Sequence, residues 1–322
     1  ISDWSFVNQL KTGNVLNMSY MFATLGLNSF PRIDMTSVTN TSYMFRTAGI
    51  TSIPGNVIGQ NVENAEGMFY WCSSLKDLPA DYTTVLGHNN KLKNVSSMFR
   101  LCRSLKSIGV HNVFKYVEDA TGIGDWVIDD KKLNNQIFRY CPNITNMESV
   151  CSVCEALGSD ENNKGIPLGL FYHCPKVTNI SYAFSGCKSL AVVTPGVIHC
   201  QVLFANNLEL TDISYLFNNA TIDGFLTENP NNSGYILFPG TKIENASYLF
   251  NNCTMTSVTG NENIPFVYKS KVLKNISHIF SNQTCFRDLN NMFTGNYSWA
   301  NMSTYCPALT DCSYMFSGDT EL

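Results

Sequence analysis

A six-residue string that recurs along the chain constrains the fold more than any other feature of the sequence. It appears as Asn17-Met-Ser-Tyr-Met-Phe22 and returns in similar form as Asn94-Val-Ser-Ser-Met-Phe99 and Asn245-Ala-Ser-Tyr-Leu-Phe250. Looser copies bring the number of anchor residues at the end of the string to eleven: Phe22, Phe45, Phe69, Phe99, Cys151, Phe184, Phe217, Phe250, Phe280, Phe293 and Phe316. A unit this short cannot bury its own apolar face, so neighbouring units must stack and share one core.

Each position of the repeat predicts a local structure. Asn or Asp stands five residues before every anchor, as at Asn17 and Asp288, which predicts the N-cap of a short helical turn. The anchor and the residue before it should point inward. Three residues later a small side chain recurs, most often Cys as at Cys102, which predicts a tight buried position. Apolar residues six and nine positions after the anchor predict a short strand, and Pro or Gly often follows it.

The spacing of the anchors predicts coils of two lengths. The first anchors lie 23 and 24 residues apart, and Phe293 and Phe316 are again separated by 23. These spacings fall in the roughly 20–29-residue range of leucine-rich repeats. In the middle of the chain a period of 33 takes over, and a second series repeats with it: Phe138, Phe171 and Phe204. Central coils should therefore be longer and carry a second inward aromatic corner.

The fullest copy, Asn94-Val-Ser-Ser-Met-Phe-Arg-Leu-Cys-Arg-Ser-Leu-Lys-Ser-Ile108, resembles the repeat of BspA-like leucine-rich-repeat surface proteins. The resemblance implies one α/β solenoid over residues 1–322, with short strands alternating with short helical turns and with irregular insertions. It also implies a place on bacterial or protist surfaces, adhesion to host proteins or other cells, and no enzymatic activity. Related repeats occur in viruses that infect bacteria. Because the chain opens with Ile1 and closes as another repeat begins, we expect a segment of a longer protein.

Charge and hydropathy exclude two classes of partner. The net charge is -4, and Lys and Arg are scattered, so the chain has no basic stripe of the kind that nucleic-acid backbones require. No apolar run approaches the roughly 20 residues that cross a bilayer. We therefore expect neither nucleic-acid binding nor direct membrane insertion by this segment.

Twelve cysteines raise the question of disulfides or metal. Cys151-Ser-Val-Cys154 is a C-x-x-C string, but the repeat itself produces it, since Cys151 takes the anchor position and Cys154 the small-residue position. Neither His173-Cys174 nor His199-Cys200 completes a zinc ligand set. Ala and Leu replace Cys in other copies, which favours buried free thiols over a few disulfides, although repeat phase alone leaves the redox state open.

The remaining motifs predict no catalytic, cofactor or metal site. The segment from Asp160 begins like a calcium loop but has Lys164 and Phe171 where oxygen ligands are required. Gly122-Ile-Gly124 is interpreted as a turn. Six Asn-x-Ser/Thr triplets are the repeat Asn followed two residues later by the repeat Ser, and the better candidates for glycosylation are Asn231, Asn282, Asn296 and Asn301.

These observations favour an adhesion or recognition module of a cell-surface protein, whose partner is a protein or glycan on another cell. The alternative is a structural or receptor-binding protein of a bacteriophage particle, in contact with neighbouring virion proteins; an enzyme is the third and least supported class. Four insertions interrupt the repeat: residues 110–133, 155–168, 221–242 and 259–273. Exposed aromatic residues often anchor interfaces, so the predicted partner contacts are Tyr116, Trp126, Tyr235 and Tyr268.

Overall fold

A computed structural model describes residues 5–111, 114–118, 124–165, 167–191, 206–223, 225–226, 242–255, 258–259, 270–282 and 306–319. Regular elements are short. The 3₁₀ helices are Ser5–Gln9 and Leu168–Phe171, and the α-helices are α1 (Thr83–Leu86) and α2 (Asp130–Asn134). The strands are β1 (Phe114–Glu118), β2 (Gly124–Ile128), β3 (Leu190–Ala191), β4 (Thr221–Asp223), β5 (Phe225–Leu226), β6 (Thr254–Met255) and β7 (Val258–Thr259).

Successive copies of the repeat lie side by side in parallel register. Bridges join the conserved Asn or Asp of each copy to that of the next, through Asn17, Asn40, Asn64, Asn94, Asn146, Asn179, Asp212, Asn245, Asn275 and Asp311. We call each copy a coil and number repeat positions from this residue, so that the anchor is position +5. The anchor side chains meet between coils inside a single core.

The backbone of each coil bonds to both neighbours with one polarity. In the first coil, the amides of residues 18, 20, 22 and 24 donate to the carbonyl oxygens of residues 40, 42, 44 and 46, at 2.6–3.0 Å. The peptide units that accept there donate in turn to the third coil, and the pattern continues to residues 311–317. Four columns of aligned peptide groups therefore run along the stack from coil to coil. In these columns, every amide that points toward the next coil donates a hydrogen bond to it.

The amides between these columns are satisfied within the coil. Asn17 Oδ1 accepts from the amide of Ser19 at 2.9 Å, and the amides of Met21 and Ala23 donate to carbonyls three residues back. The predicted helical turn is nevertheless wrong, because positions +3 and +7 have left-handed backbone in every coil, as at Tyr20 (φ 58°) and Thr24 (φ 61°). Such residues cannot continue a right-handed helix. They turn alternate amides toward the next coil instead.

The anchors form a row of buried rings through the core. Phe45, Phe69 and Phe99 are fully buried and stack at 5.6–5.7 Å between centroids. From Phe184 the row resumes after Cys151 and passes through Phe217 and Phe250 to Phe280. The second inward corner is confirmed at Phe138 and Phe171, which are fully buried; Phe204 lies outside the described residues.

The last two described coils of the stack are those of Phe280 and Phe316. Asn275 pairs directly with Asp311, and Phe280 stacks on Phe316 at 6.1 Å. Phe280 and Phe316 therefore belong to adjacent coils. Asp288 and Phe293 lie outside the described residues.

Short strands follow the anchors only in part of the stack. Strands β3, β4 and β6 form a parallel sheet in that order, and β5 pairs in parallel with β7. In earlier coils the same region is represented by an isolated bridge between Ser52 and Asp77. The first insertion contains a separate antiparallel pair of β1 and β2. Of the described residues, no helix is long and apolar enough to cross a membrane.

Candidate recognition surface

Aromatic side chains at position +3 form a continuous ladder on the surface of the later coils. We define the tyrosine ladder as Tyr182, Tyr215, Tyr248, His278 and Tyr314. Neighbouring rings lie 4.2–4.8 Å apart between centroids, and three of the four pairs are within 8° of parallel. The left-handed backbone at +3 holds each ring at the same angle, so the ladder follows from the stacking of coils.

The ladder is partly exposed along its length. Tyr182, Tyr215, Tyr248 and His278 are half-buried between their neighbours, whereas Tyr314 is 66% exposed. Burial, followed by the charge and hydroxyl hydrogen bonds of Tyr182 and Tyr248, raises the pKa of Tyr215 to about 12. The Tyr215 phenol therefore stays neutral and able to donate a hydrogen bond throughout the physiological range.

Amide side chains run beside the ladder. Asn251 Nδ2 donates to Asn218 Oδ1 at 2.7 Å, and Asn252 donates to Asn219 in the same way. The Tyr rings supply rigid apolar contact area, and the Asn amides supply polar groups at its edge. Protein-recognition surfaces commonly have this composition. Position +3 is Gly67, Ser97 and Ser149 in the middle coils, where the ladder is interrupted. A second, shorter stack joins Tyr20 and Tyr43 at 5.1 Å.

A second surface feature lies at the other corner of the central coils. It is an open cavity of about 690 Å³, which we call the cationic hollow, and its lining includes Lys91, Arg139, Tyr140, Tyr172 and His173. Tyr140 stacks on His88 at 3.8 Å, and the Arg139 guanidinium carbon lies 5.5 Å from the Tyr140 ring centre. Asn and Gln side chains and two prolines complete the lining, and no carboxylate is among the lining residues.

A chain of hydrogen bonds fixes the guanidinium in the hollow. His173 Nε2 lies 3.0 Å from the carbonyl oxygen of Leu133, so this nitrogen must donate. The other ring nitrogen, Nδ1, then accepts from Arg139 Nη1 at 3.2 Å. Burial and the nearby Arg139 charge lower the pKa of His173, which favours this neutral form, although the Leu133 carbonyl opposes them. His173 thus positions Arg139 without adding a charge.

Two of the four aromatic residues predicted from the insertions lie in one strand pair of the described structure. Tyr116 and Trp126 are directly opposite each other in the β1–β2 pair. Tyr235 and Tyr268 lie outside the described residues. The tyrosine ladder was not predicted, because its residues belong to the repeat string and the partner contacts were sought in the insertions. The signal was present, since position +3 is Tyr or His in the last five described coils.

The cysteines of the small-residue position have a bonding role that size alone does not explain. Four of these thiols donate to the anchor carbonyl of the preceding coil at 3.0–3.3 Å: Cys72 to Phe45, Cys102 to Phe69, Cys154 to Phe99 and Cys187 to Cys151. Burial raises the pKa of Cys102 and Cys151 well above its usual range, which keeps these thiols protonated. Among the described cysteines, Cys312 is free and exposed, and the following are free and buried: Cys72, Cys102, Cys141, Cys151, Cys154, Cys174, Cys187 and Cys306.

The other weighed motifs are structural where they are described. Asp160 Oδ1 accepts from the amide of Asn162 at 3.0 Å, which makes a local turn. Asn282 is exposed, whereas Asn231, Asn296 and Asn301 lie outside the described residues. Within the described ranges, no three His, Cys, Asp or Glu side chains are grouped as metal ligands would be.

Stacked copies that share one core define a repeat protein. Residues 3–85 and 32–134 each match the family described as Mycoplasma protein of unknown function, DUF285. The two matches overlap, and together they span residues 3–134. No curated protein and no solved structure has significant similarity to the chain.

Proposed function

We propose that this chain is a non-enzymatic recognition module of a cell-surface protein, built as a BspA-like leucine-rich-repeat solenoid. Its partner is a protein on a host or neighbouring cell, and its contact surface is the tyrosine ladder. The repeat string and the parallel pairing of coils support the solenoid. The match of the first coils to the DUF285 family supports a relation to surface repeat proteins at a coarse level only.

The observation that carries the proposal is the pre-assembled stack of five rings. Tyr248 is clamped between Tyr215 at 4.4 Å and His278 at 4.2 Å. A ring already held by its neighbours loses little conformational freedom when a partner covers its edge, so more of the contact energy remains as affinity. Tyr is also among the residues that most often dominate protein interfaces.

The test compares binding by the parent chain and by the double variant Tyr215→Ser, Tyr248→Ser. Serine occupies the same left-handed position at Ser97 and Ser149, so the backbone accepts it. A surface-binding screen against matrix and cell-surface proteins identifies a partner for the parent chain. We expect the double variant to lose at least about tenfold in affinity, because two central aromatic anchors are removed.

The matched control is Leu208→Ala, which alters a 60% exposed apolar residue away from the ladder and should bind as the parent does. Equal binding by the double variant would remove the ladder from the function. Failure of the parent to bind any protein in the screen would count against the module itself. Recovery of the chain from purified bacteriophage particles would favour the virion alternative.

A further inference from the structure

The cationic hollow is lined by positive side chains, although the chain as a whole is acidic. The chain carries a net charge of -4, yet Lys91 and Arg139 line one cavity together with His88 and His173. Among the described residues, five ion pairs are formed, and neither Lys91 nor Arg139 takes part in them. Two cations therefore face the same cavity, and no carboxylate is among its lining residues. The charge of Lys91 also acts on Glu63, which lies outside the lining and is paired with Lys93.

Arg139 is held ready for a ligand by the bond to His173. One of its guanidinium donors is used at Nη1, 3.2 Å from His173 Nδ1. The planar fork of a guanidinium matches the two oxygens of a carboxylate, and a fork fixed in advance loses less freedom on binding. Lys91 is also fixed, because its Nζ donates to Asn61 Oδ1 at 2.6 Å.

The remaining lining matches a sugar better than a bare anion or a peptide. Gln60, Asn90 and Asn206 bring primary amides to the hollow, and a primary amide can both donate and accept, whereas the Asn61 amide is already bonded to Lys91 and Thr36. A row of amides of this kind is complementary to a row of hydroxyl groups. Tyr172, with Pro142 and Pro175, supplies apolar contact for the carbon face of a pyranose ring. The volume of about 690 Å³ lies within the range of small-molecule sites.

We propose that the cationic hollow binds a carboxylated sugar, with the carboxylate on Arg139 and Lys91 and the hydroxyls on the surrounding amides. Lys91 and Arg139 belong to coils that are adjacent in the stack. They are far apart in the sequence because the β1–β2 insertion lies between them. The site is separate from the tyrosine ladder and does not depend on the function proposed for the ladder.

Titration calorimetry with short glucuronate and galacturonate oligosaccharides tests the proposal, with neutral glucose and galactose oligosaccharides of equal length as matched ligands. We expect saturable binding of an acidic oligosaccharide, at least about tenfold tighter than that of its neutral counterpart. The neutral sugar has no carboxylate and so cannot form the charged hydrogen bonds to Arg139 and Lys91. Added salt should weaken the acidic ligand selectively. No heat from any acidic oligosaccharide at about 10 mM ligand would overturn the proposal.

Variants locate the binding. Arg139→Gln should reduce affinity by at least about tenfold, whereas Arg103→Gln, at an exposed Arg paired with Glu155, should not. If Arg139→Gln melts early, Lys91→Gln at an exposed side chain serves in its place. Unchanged affinity in both hollow variants, or inorganic phosphate binding as tightly as the oligosaccharide, would refute a sugar site. The ladder variant Tyr215→Ser, Tyr248→Ser should bind the sugar normally, so the two proposals fail separately.

Discussion

Replacing Phe184 by Ala tests the buried row of anchors. Phe184 is fully buried, stacks on Phe217 at 5.9 Å and meets Phe171 from the second corner at 5.8 Å. Truncating a buried Phe to Ala costs about 3–5 kcal/mol, and the upper part of that range applies where the site cannot collapse. Here the hydrogen-bonded columns on either side fix the distance between coils, since Phe184 itself donates to Leu216 at 3.0 Å. We expect a loss of about 4–5 kcal/mol.

Urea denaturation followed by far-ultraviolet circular dichroism measures this loss. Leu208→Ala is the control, because a 60% exposed side chain should change the free energy of unfolding by no more than about 0.5 kcal/mol. The slope of the transition must match the parent for the comparison to hold, since repeat proteins can unfold in parts. A loss below about 1 kcal/mol at equal slope would show that the ring does not support its neighbours.

Two further predictions concern the backbone and pH. Val153→Asn should raise the free energy of unfolding by about 1 kcal/mol, because Val153 has left-handed backbone (φ 59°) that Asn adopts more easily, as at Asn219. A thermal melt at or below the parent's would contradict this, and Asn219→Val should do the opposite. His111 is buried, and burial lowers its pKa from 6.5 to about 4. As pH falls, His111 is therefore protonated in the unfolded chain before it is protonated in the folded one. The contribution of neutral His111 to the free energy of unfolding is fully present above pH 6.5 and falls by about 3 kcal/mol as pH drops toward 4. Urea titrations across this range should show the slope, and an equal slope in His111→Gln would assign it to other groups.

The sequence alone determined which residues form the interior. The anchors at Phe45, Phe69 and Phe99 and the second corner at Phe138 are all buried as predicted. The reason is that burial within a coil depends on a local period, and a period is visible in one dimension. The amide-accepting role of the conserved Asn was also predictable, because its partner lies two residues away, as in Asn17 and Ser19.

Only the tertiary structure determined the hydrogen bonds and the register between neighbouring coils. The left-handed residues and the shared polarity of the peptide columns arise because each coil must satisfy the amides of the next, which no single copy reveals. Coil length varies, and anchor spacing alone did not predict that Phe280 stacks directly on Phe316. The cationic hollow has the same origin. Lys91 and Arg139 come together only through the register of stacked coils, and register depends on hydrogen bonds between residues far apart in the chain.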